Sequence, residues 1–170
     1  CGNYAIVCNG DIYNHKELKK AYPYDYKTTS DCETILACYK QEGTDGFKKL
    51  KGMFSFALYD KARKKLLIHR DAVGKKPLFY YVDKDSFLVS SSVKAIRDNL
   101  DVELNINKEA LYSYLREGFV RPDLSFYDGI KPVLPGRLIE IDTITGEISS
   151  NEVTPESINY NSFDFSLDEI

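Results

Sequence analysis

Apolar and polar positions along the chain follow two rhythms. Tyr4-Ala5-Ile6-Val7-Cys8 is a short apolar run bounded by Asn9-Gly10, which predicts a buried strand closed by a tight turn. Asn14 opens a short helical pattern, His15 to Ala21, which Pro23 breaks. Thr28-Thr29-Ser30-Asp31 supplies caps for a helix over roughly Cys32 to Gln41, stopped by Gly43; a shorter helix is predicted over Asp45 to Leu50. The period then drops to two. Phe54, Phe56 and Leu58 alternate with Ser55, Ala57 and Tyr59, and Leu66-Leu67-Ile68 returns across a charged turn as the second arm of a hairpin. Leu78–Val82 with Phe87–Ser90, and Leu138–Ile141 with Glu147–Ser149, predict two more hairpins. Helices are expected over Val93–Asp98 and, capped by Asn107 and closed by Gly118, through Leu115. Strands and helices occur in blocks, so the pattern predicts an α+β fold with antiparallel sheets, not a doubly wound parallel one.

From Asn151 to Ile170 the chain turns polar and aperiodic. This divides it into a domain over residues 1–150 and a linker over 151–170. No internal repeat is visible.

Composition narrows the function classes. The 170 residues carry 23 Lys and Arg against 26 Asp and Glu, a net charge of −3. That balance offers no basic footprint for nucleic acid and no polybasic membrane patch. No apolar run approaches the length of a membrane span. Thirteen Tyr and nine Phe supply ample apolar surface for a core. His15 and His69 are far apart and the cysteines form no C-x-x-C pair, so no metal site is expected. Cys8, Cys32 and Cys38 sit in apolar strand or helix patterns and are expected as buried free thiols, which points to the reducing cytoplasm.

Four places could carry chemistry. Cys1 joins an α-amine to a thiol; if it is a free terminus, one residue supplies both nucleophile and base. It is equally well a boundary residue without a role. Asn9-Gly10 makes a tight turn readily, or its side-chain amide and backbone N–H converge as an oxyanion hole. Asp31 favours a helix start through the dipole, or binds a ligand ammonium group. Arg70-Asp71 with Gly74-Lys75-Lys76-Pro77 reads first as a charged turn, then as a structural ion pair, and only last as catalytic.

Taken in order, these segments resemble one family. Asn9-Gly10-Asp11-Ile12-Tyr13-Asn14 resembles the N-G-E-I-Y-N motif of glutamine-hydrolysing asparagine synthetases, in their class II glutamine amidotransferase domain. Ser30-Asp31-Cys32-Glu33 resembles S-D-x-E, and Gly52 to Asp60 resembles G-M-F-A-F-A-L-W-D. Arg70 to Tyr80 resembles R-D-x-x-G-x-K-P-L-Y-Y, Ser91 to Ile96 resembles S-E-I-K-A-L, and Phe126 to Gly136 resembles F-x-G-I-x-x-L-x-P-G.

The resemblance implies an N-terminal-nucleophile hydrolase fold: a four-layer αββα sandwich of two antiparallel sheets, short here of part of the first sheet. It implies an enzyme that hydrolyses L-glutamine to glutamate and ammonia through a γ-glutamyl thioester on an N-terminal cysteine. The ammonia would pass to an ATP-activated carboxylate, aspartate becoming asparagine. Carried over by motif, Cys1 would be the nucleophile, and Asn9 and Gly10 the oxyanion hole. Asp31 would hold the glutamine ammonium and Asp11 would lie beside the substrate. The glutaminase step would need no cofactor, whereas ATP and Mg²⁺ would belong to a synthetase domain that partners this one. A homodimer is a further expectation from the family.

Three departures stand beside these matches. The family places several tens of residues, with H-R-G-P-D and a carboxylate-gripping Arg in R-L-S-I, between its opening Cys-Gly and N-G-E-I-Y-N; here six residues separate Gly2 from Asn9. Asp11 and Ser92 each replace a family Glu. The ATP-pyrophosphatase motif S-G-G-x-D-S does not occur in the 170 residues. The alternative function is therefore a catalytically silent module of the same fold, kept as a docking or structural domain.

Overall fold

A computed structural model describes residues 2–84 and 86–155. Its strands are β1 (Tyr4–Ile12), β2 (Gly52–Asp60), β3 (Lys65–Arg70), β4 (Phe79–Val82), β5 (Phe87–Ser90), β6 (Lys131–Pro132), β7 (Arg137–Asp142) and β8 (Ile148–Glu152). Its helices are α1 (His15–Ala21), α2 (Glu33–Glu42), α3 (Val93–Arg97) and α4 (Lys108–Glu117), with a 3-10 segment over Gly43–Lys49.

The strands form two antiparallel sheets. One has the order β1-β2-β3-β7-β8 and the other β5-β4-β6. Two apolar cores follow from the alternation of side chains across the larger sheet. On one face Phe54, Phe56, Leu58, Leu67 and Leu138 pack with Ile35, Leu36, Cys38 and Phe47 from α2 and the 3-10 segment. On the other, Ile68, Ile139 and Ile141 meet Leu78, Tyr80 and Val133 from the smaller sheet and its flanks. β2 is therefore covered on both sides, which is why Ser55 and Ala57 are buried as deeply as Phe54 and Phe56. Burying each large side chain of these cores contributes roughly 1.5–3 kcal/mol. The expected α+β two-sheet sandwich is the observed one, with α3 set against β4 and β5. β1 stands at the edge of the larger sheet.

Local chemistry explains the element ends. The side chains of Asn107 and Ser92 accept the Ala110 and Ala95 N–H groups and start α4 and α3. Ser92, which replaces a family Glu, is thus a helix cap. Asn14 was expected to cap α1 and does not. Its amide instead donates to the Lys49 carbonyl at 2.9 Å and accepts the Lys51 N–H at 3.0 Å, clasping the approach to β2.

The boundary at residue 150 falls inside β8, which runs to Glu152. Val153 beyond it is buried and donates its N–H to the Gly136 carbonyl at 2.8 Å. The rest of the expected linker, residues 156–170, lies outside the described residues. Among the described residues no helix is long and apolar enough to cross a membrane.

Candidate active site

The first difference from the expected pattern lies at Asn9-Gly10. Strand β1 does not turn there; it continues to Ile12, paired with β2 throughout, Gly10 opposite Phe54 and Asp11 opposite Met53. Glycine makes this possible. Gly10 has φ +124°, and a Cβ on it would lie 1.9 Å from the Met53 carbonyl oxygen. The position therefore faces β2 with a Cα hydrogen, and no larger residue fits.

The N–H groups of β1 then sort by the two-residue period of a strand. Tyr13 donates across to the Lys51 carbonyl at 2.7 Å. Ile12 turns its N–H away from β2 and donates to Asp31 Oδ2 at 2.6 Å. Two residues earlier, the Gly10 N–H belongs to that same open side. A backbone donor at an unpaired sheet edge is available to a ligand oxygen, as an oxyanion hole requires.

The side chains of β1 alternate in parallel. Tyr4, Ile6 and Cys8 pack against the helix-side core, while Ala5, Val7, Asn9 and Asp11 are exposed on the other face. Val7 and Asn9 line a cleft of about 340 Å³ with Ser55, Ala57, Leu78, Val89, Ser90 and Ser91, where the edge of the larger sheet meets β5. Asn9 thus presents its amide at the rim of an inter-sheet cleft, one residue before the Gly10 N–H.

Asp31 comes to this edge from the segment preceding α2. Its carbonyl accepts the Thr34 N–H and hydroxyl, which fixes the first turn of the helix. Its carboxylate leaves the helix and grips β1 at Ile12. Glu33, next in the motif, turns back instead: its carboxylate accepts the Lys27 and Thr28 N–H groups and the Thr28 hydroxyl. Burial opposes ionisation of Glu33, yet those three donors hold its carboxyl below the ordinary range. The S-D-C-E segment is therefore a built loop that delivers Asp31 to the strand edge. Asn9, Gly10, Asp11 and Asp31 converge on one end of β1.

Cys1, expected as nucleophile, lies outside the described residues. Gly2 and Asn3 lie at the opposite end of β1 from the site, where the Asn3 carbonyl accepts the Lys61 N–H at 2.8 Å. Six residues of extended strand, roughly 20 Å, separate Asn3 from Asn9.

Of the three cysteines expected to be buried, only Cys38 is; Cys8 and Cys32 are half-buried. Burial pushes the Cys38 thiol up to about 12. Cys8 packs against the helix-side core, and the Cys32 thiol donates to Asp31 Oδ1 at 3.7 Å.

The Arg70-Asp71 segment takes its structural reading. The Arg70 guanidinium donates to the carbonyls of Lys76, Gly74 and Val133 at 2.7, 2.7 and 2.9 Å. The Asp71 carboxylate, 2% exposed, accepts the N–H groups of Val73, Lys75 and Lys76. Both side chains are spent on holding the loop between β3 and β4. Among the described residues, no group of three or more His, Cys, Asp or Glu side chains is placed to hold a metal ion.

Comparison with known proteins connects the chain to a family. A model of the glutamine amidotransferase domain covers residues 1–151. Asparagine synthetase B, glutamine-hydrolysing, of Escherichia coli is 38% identical over 137 residues, which span 75% of this chain and 24% of that one. Asparagine synthetase 2, glutamine-hydrolysing, of Bacillus subtilis is 35% identical over 152 residues, 86% of this chain and 20% of that one. The chain thus spans between a fifth and a quarter of the length of these relatives. Among solved structures, the glutamine phosphoribosylpyrophosphate amidotransferase of Bacillus subtilis superposes with a TM-score of 0.60 over 89% of this chain and 29% of its own, at 20% identity. That likeness shows the fold: the two-sheet sandwich is that of the amidotransferases. With residues 1–151 matched and the motif residues gathered at one strand end, the chain belongs to the glutamine amidotransferase domain family.

Proposed function

We propose that the chain is the glutamine-hydrolysing domain of an asparagine synthetase-like enzyme. The observation that carries this is the convergence of Asn9, the Gly10 N–H and the Asp31 carboxylate at the open end of β1 beside the inter-sheet cleft. Two donors there meet the oxygen that becomes negative when the side-chain amide of glutamine is attacked. A carboxylate meets the ammonium of the same amino acid. Asp11, exposed on the face of Asn9, lies beside the bound chain of the substrate.

A thiol that attacks the amide carbon forms a γ-glutamyl thioester as the C–N bond breaks and ammonia leaves for an acceptor; water then cleaves the thioester to glutamate and returns the thiol. Aspartate is that acceptor in this proposal. ATP and Mg²⁺ would act on it in a synthetase domain, in the part of such relatives that this chain does not span. The glutaminase step asks for no cofactor, only a thiol and water.

The family resemblance gives the attack to Cys1. The strand weighs against a partnership of Cys1 with Asn9 and Gly10. Two residues reach about 7 Å from Asn3, whereas Asn9 is roughly 20 Å along the strand. The free thiols of the described residues suit a reducing compartment, and we place the protein in the cytoplasm on that ground.

Glutamate release from L-glutamine by the protein, compared with its Asn9→Ala variant, tests the proposal. Turnover that falls by a factor of roughly 10²–10³ in the variant supports an oxyanion hole at Asn9. Turnover equal in both, or absent from both, removes the catalytic role and leaves a docking module of the same fold. Mapping the site alkylated by a glutamine-mimicking electrophile decides the nucleophile, and a label on Cys1 would return the attack to that residue.

A further inference from the structure

We propose that the cavity beside the loop after β3 is a binding site for a hydroxyaryl group, whose hydroxyl donates to Nε2 of His69. The cavity measures about 210 Å³ and shares no lining residue with the cleft beside Asn9. Phe47, Leu50, Phe54 and Val153, all buried, wall it together with His69. Lys51 and Val73 also line it and are exposed, so the cavity is open to solvent on their side.

His69 gives this apolar space an acceptor. The residue is 2% exposed, its ring stacked on Phe47 at 5.9 Å between centroids and flanked by Phe54 at 5.7 Å. Nδ1–H donates to the Arg137 carbonyl at 2.9 Å, which leaves a lone pair on Nε2. Among the described residues Nε2 has no hydrogen-bond partner, and none of their side-chain nitrogens or oxygens is both sealed from solvent and unpartnered. Nε2 therefore opens into the cavity that His69 lines. Burial lowers the pKa of the ring to about 4, so at neutral pH the atom remains an acceptor. The Asp71 carboxylate, at the same wall, is already engaged by the Val73, Lys75 and Lys76 N–H groups.

The ligand class follows from the walls and the acceptor. Apolar walls hold water poorly, because an ordered water needs roughly two to four polar partners. They also reject a charged group. An apolar cavity of about 150 Å³ already accommodates a benzene ring. The space here admits a single ring with its hydroxyl, and the open side admits a substituent. Phe47 and Phe54 favour an aromatic neighbour, offset or edge-on. The hydroxyl supplies the donor that Nε2 lacks. Two sources present this chemistry: a free phenol, and the side chain of a tyrosine in a polypeptide.

The site does not depend on the glutaminase proposal, because its readout is the His69 ring. The protein, labelled with nitrogen-15, is titrated with p-cresol, with toluene as the same ring and methyl without the hydroxyl, and with N-acetyl-L-tyrosinamide. Long-range proton–nitrogen spectra report the imidazole nitrogens, and His15, the other histidine, is the internal control. p-Cresol should shift the Nε2 resonance of His69, leave His15 unmoved, and bind about three- to tenfold more tightly than toluene. His69→Phe keeps a ring in the aromatic cluster and should bind p-cresol and toluene equally. Val153→Phe leaves His69 intact, fills the space, and should bind neither. Tighter binding of N-acetyl-L-tyrosinamide than of p-cresol assigns the site to a tyrosine of a polypeptide, and the reverse order assigns it to a free phenol. No Nε2 shift with either phenol, p-cresol bound no more tightly than toluene, or binding that survives Val153→Phe would overturn the proposal.

Discussion

Asp31 and Ile12 stand nineteen positions apart in the chain, yet the Asp31 carboxylate accepts the Ile12 N–H at 2.6 Å. This bond brings the loop before α2 to the open end of β1 and sets a carboxylate beside Gly10 and Asp11. In the proposed function the same carboxylate would also meet the ammonium group of glutamine. The N–H needs an acceptor, whereas an ammonium group needs a charge. Asp31→Asn keeps the acceptor and removes the charge. Its stability should fall by less than about 1 kcal/mol, while glutamine binding weakens at least about tenfold. Asp31→Ala loses both, and should cost roughly 1–2 kcal/mol in denaturant unfolding. Calorimetric glutamine titration of the two variants separates the effects.

Gly10→Ala confronts a fixed backbone. The new methyl would sit 1.9 Å from the Met53 carbonyl oxygen at a φ of +124°. Neither strand can move without breaking the β1–β2 ladder. The substitution should destabilise the fold by roughly 2–3 kcal/mol or more, read as a lower urea midpoint.

Asn9→Ala should behave in the opposite way. Asn9 is exposed on the cleft side of β1, so its removal should leave the thermal midpoint within about 1–2 °C of the parent. Loss of turnover without loss of stability would mark Asn9 as a residue of the site, not of the scaffold. A thermal melt beside the glutamate-release assay checks this.

His69 makes stability depend on pH. It is enclosed by Phe47, Phe54 and Phe56, and its Nδ1–H donates to the Arg137 carbonyl at 2.9 Å. Burial lowers its pKa to about 4, against the Arg137 bond and the Asp71 charge. Between an unfolded value near 6.5 and the folded one, the unfolded chain binds a proton that the folded chain refuses. The folded state therefore loses stability as pH falls from about 6.5 towards 4, by roughly 3 kcal/mol over that window. Urea unfolding at a series of pH values should show the slope, and His69→Gln should flatten it.

The elements were largely legible because local chemistry writes them. The two-residue alternation of β2, the Asn107 and Ser92 caps and the Gly118 stop each act within a few residues of their cause. Asn9-Gly10 misled because a turn dipeptide is a local signal. Here it is overruled by the Met53 carbonyl, 43 positions away, which only a glycine can approach. Separation in sequence also hid the two-residue strand β6 and the clasp of Asn14 on Lys49 and Lys51. Asp31 and Asn9 were named through motif resemblance, and their convergence required the fold. The exposure of Cys8 and Cys32 was misjudged because apolar surroundings in sequence do not reveal that β1 is an edge strand.

The most direct measurement is an NMR titration of the isotopically labelled protein with L-glutamine, with Asp31→Asn as the control. Binding at the proposed site predicts amide shifts clustered at Asn9, Gly10, Asp11, Ile12 and Asp31, and their loss in the variant. Shifts elsewhere, equal shifts in the variant, or none at saturating glutamine would contradict a glutamine site at the open end of β1.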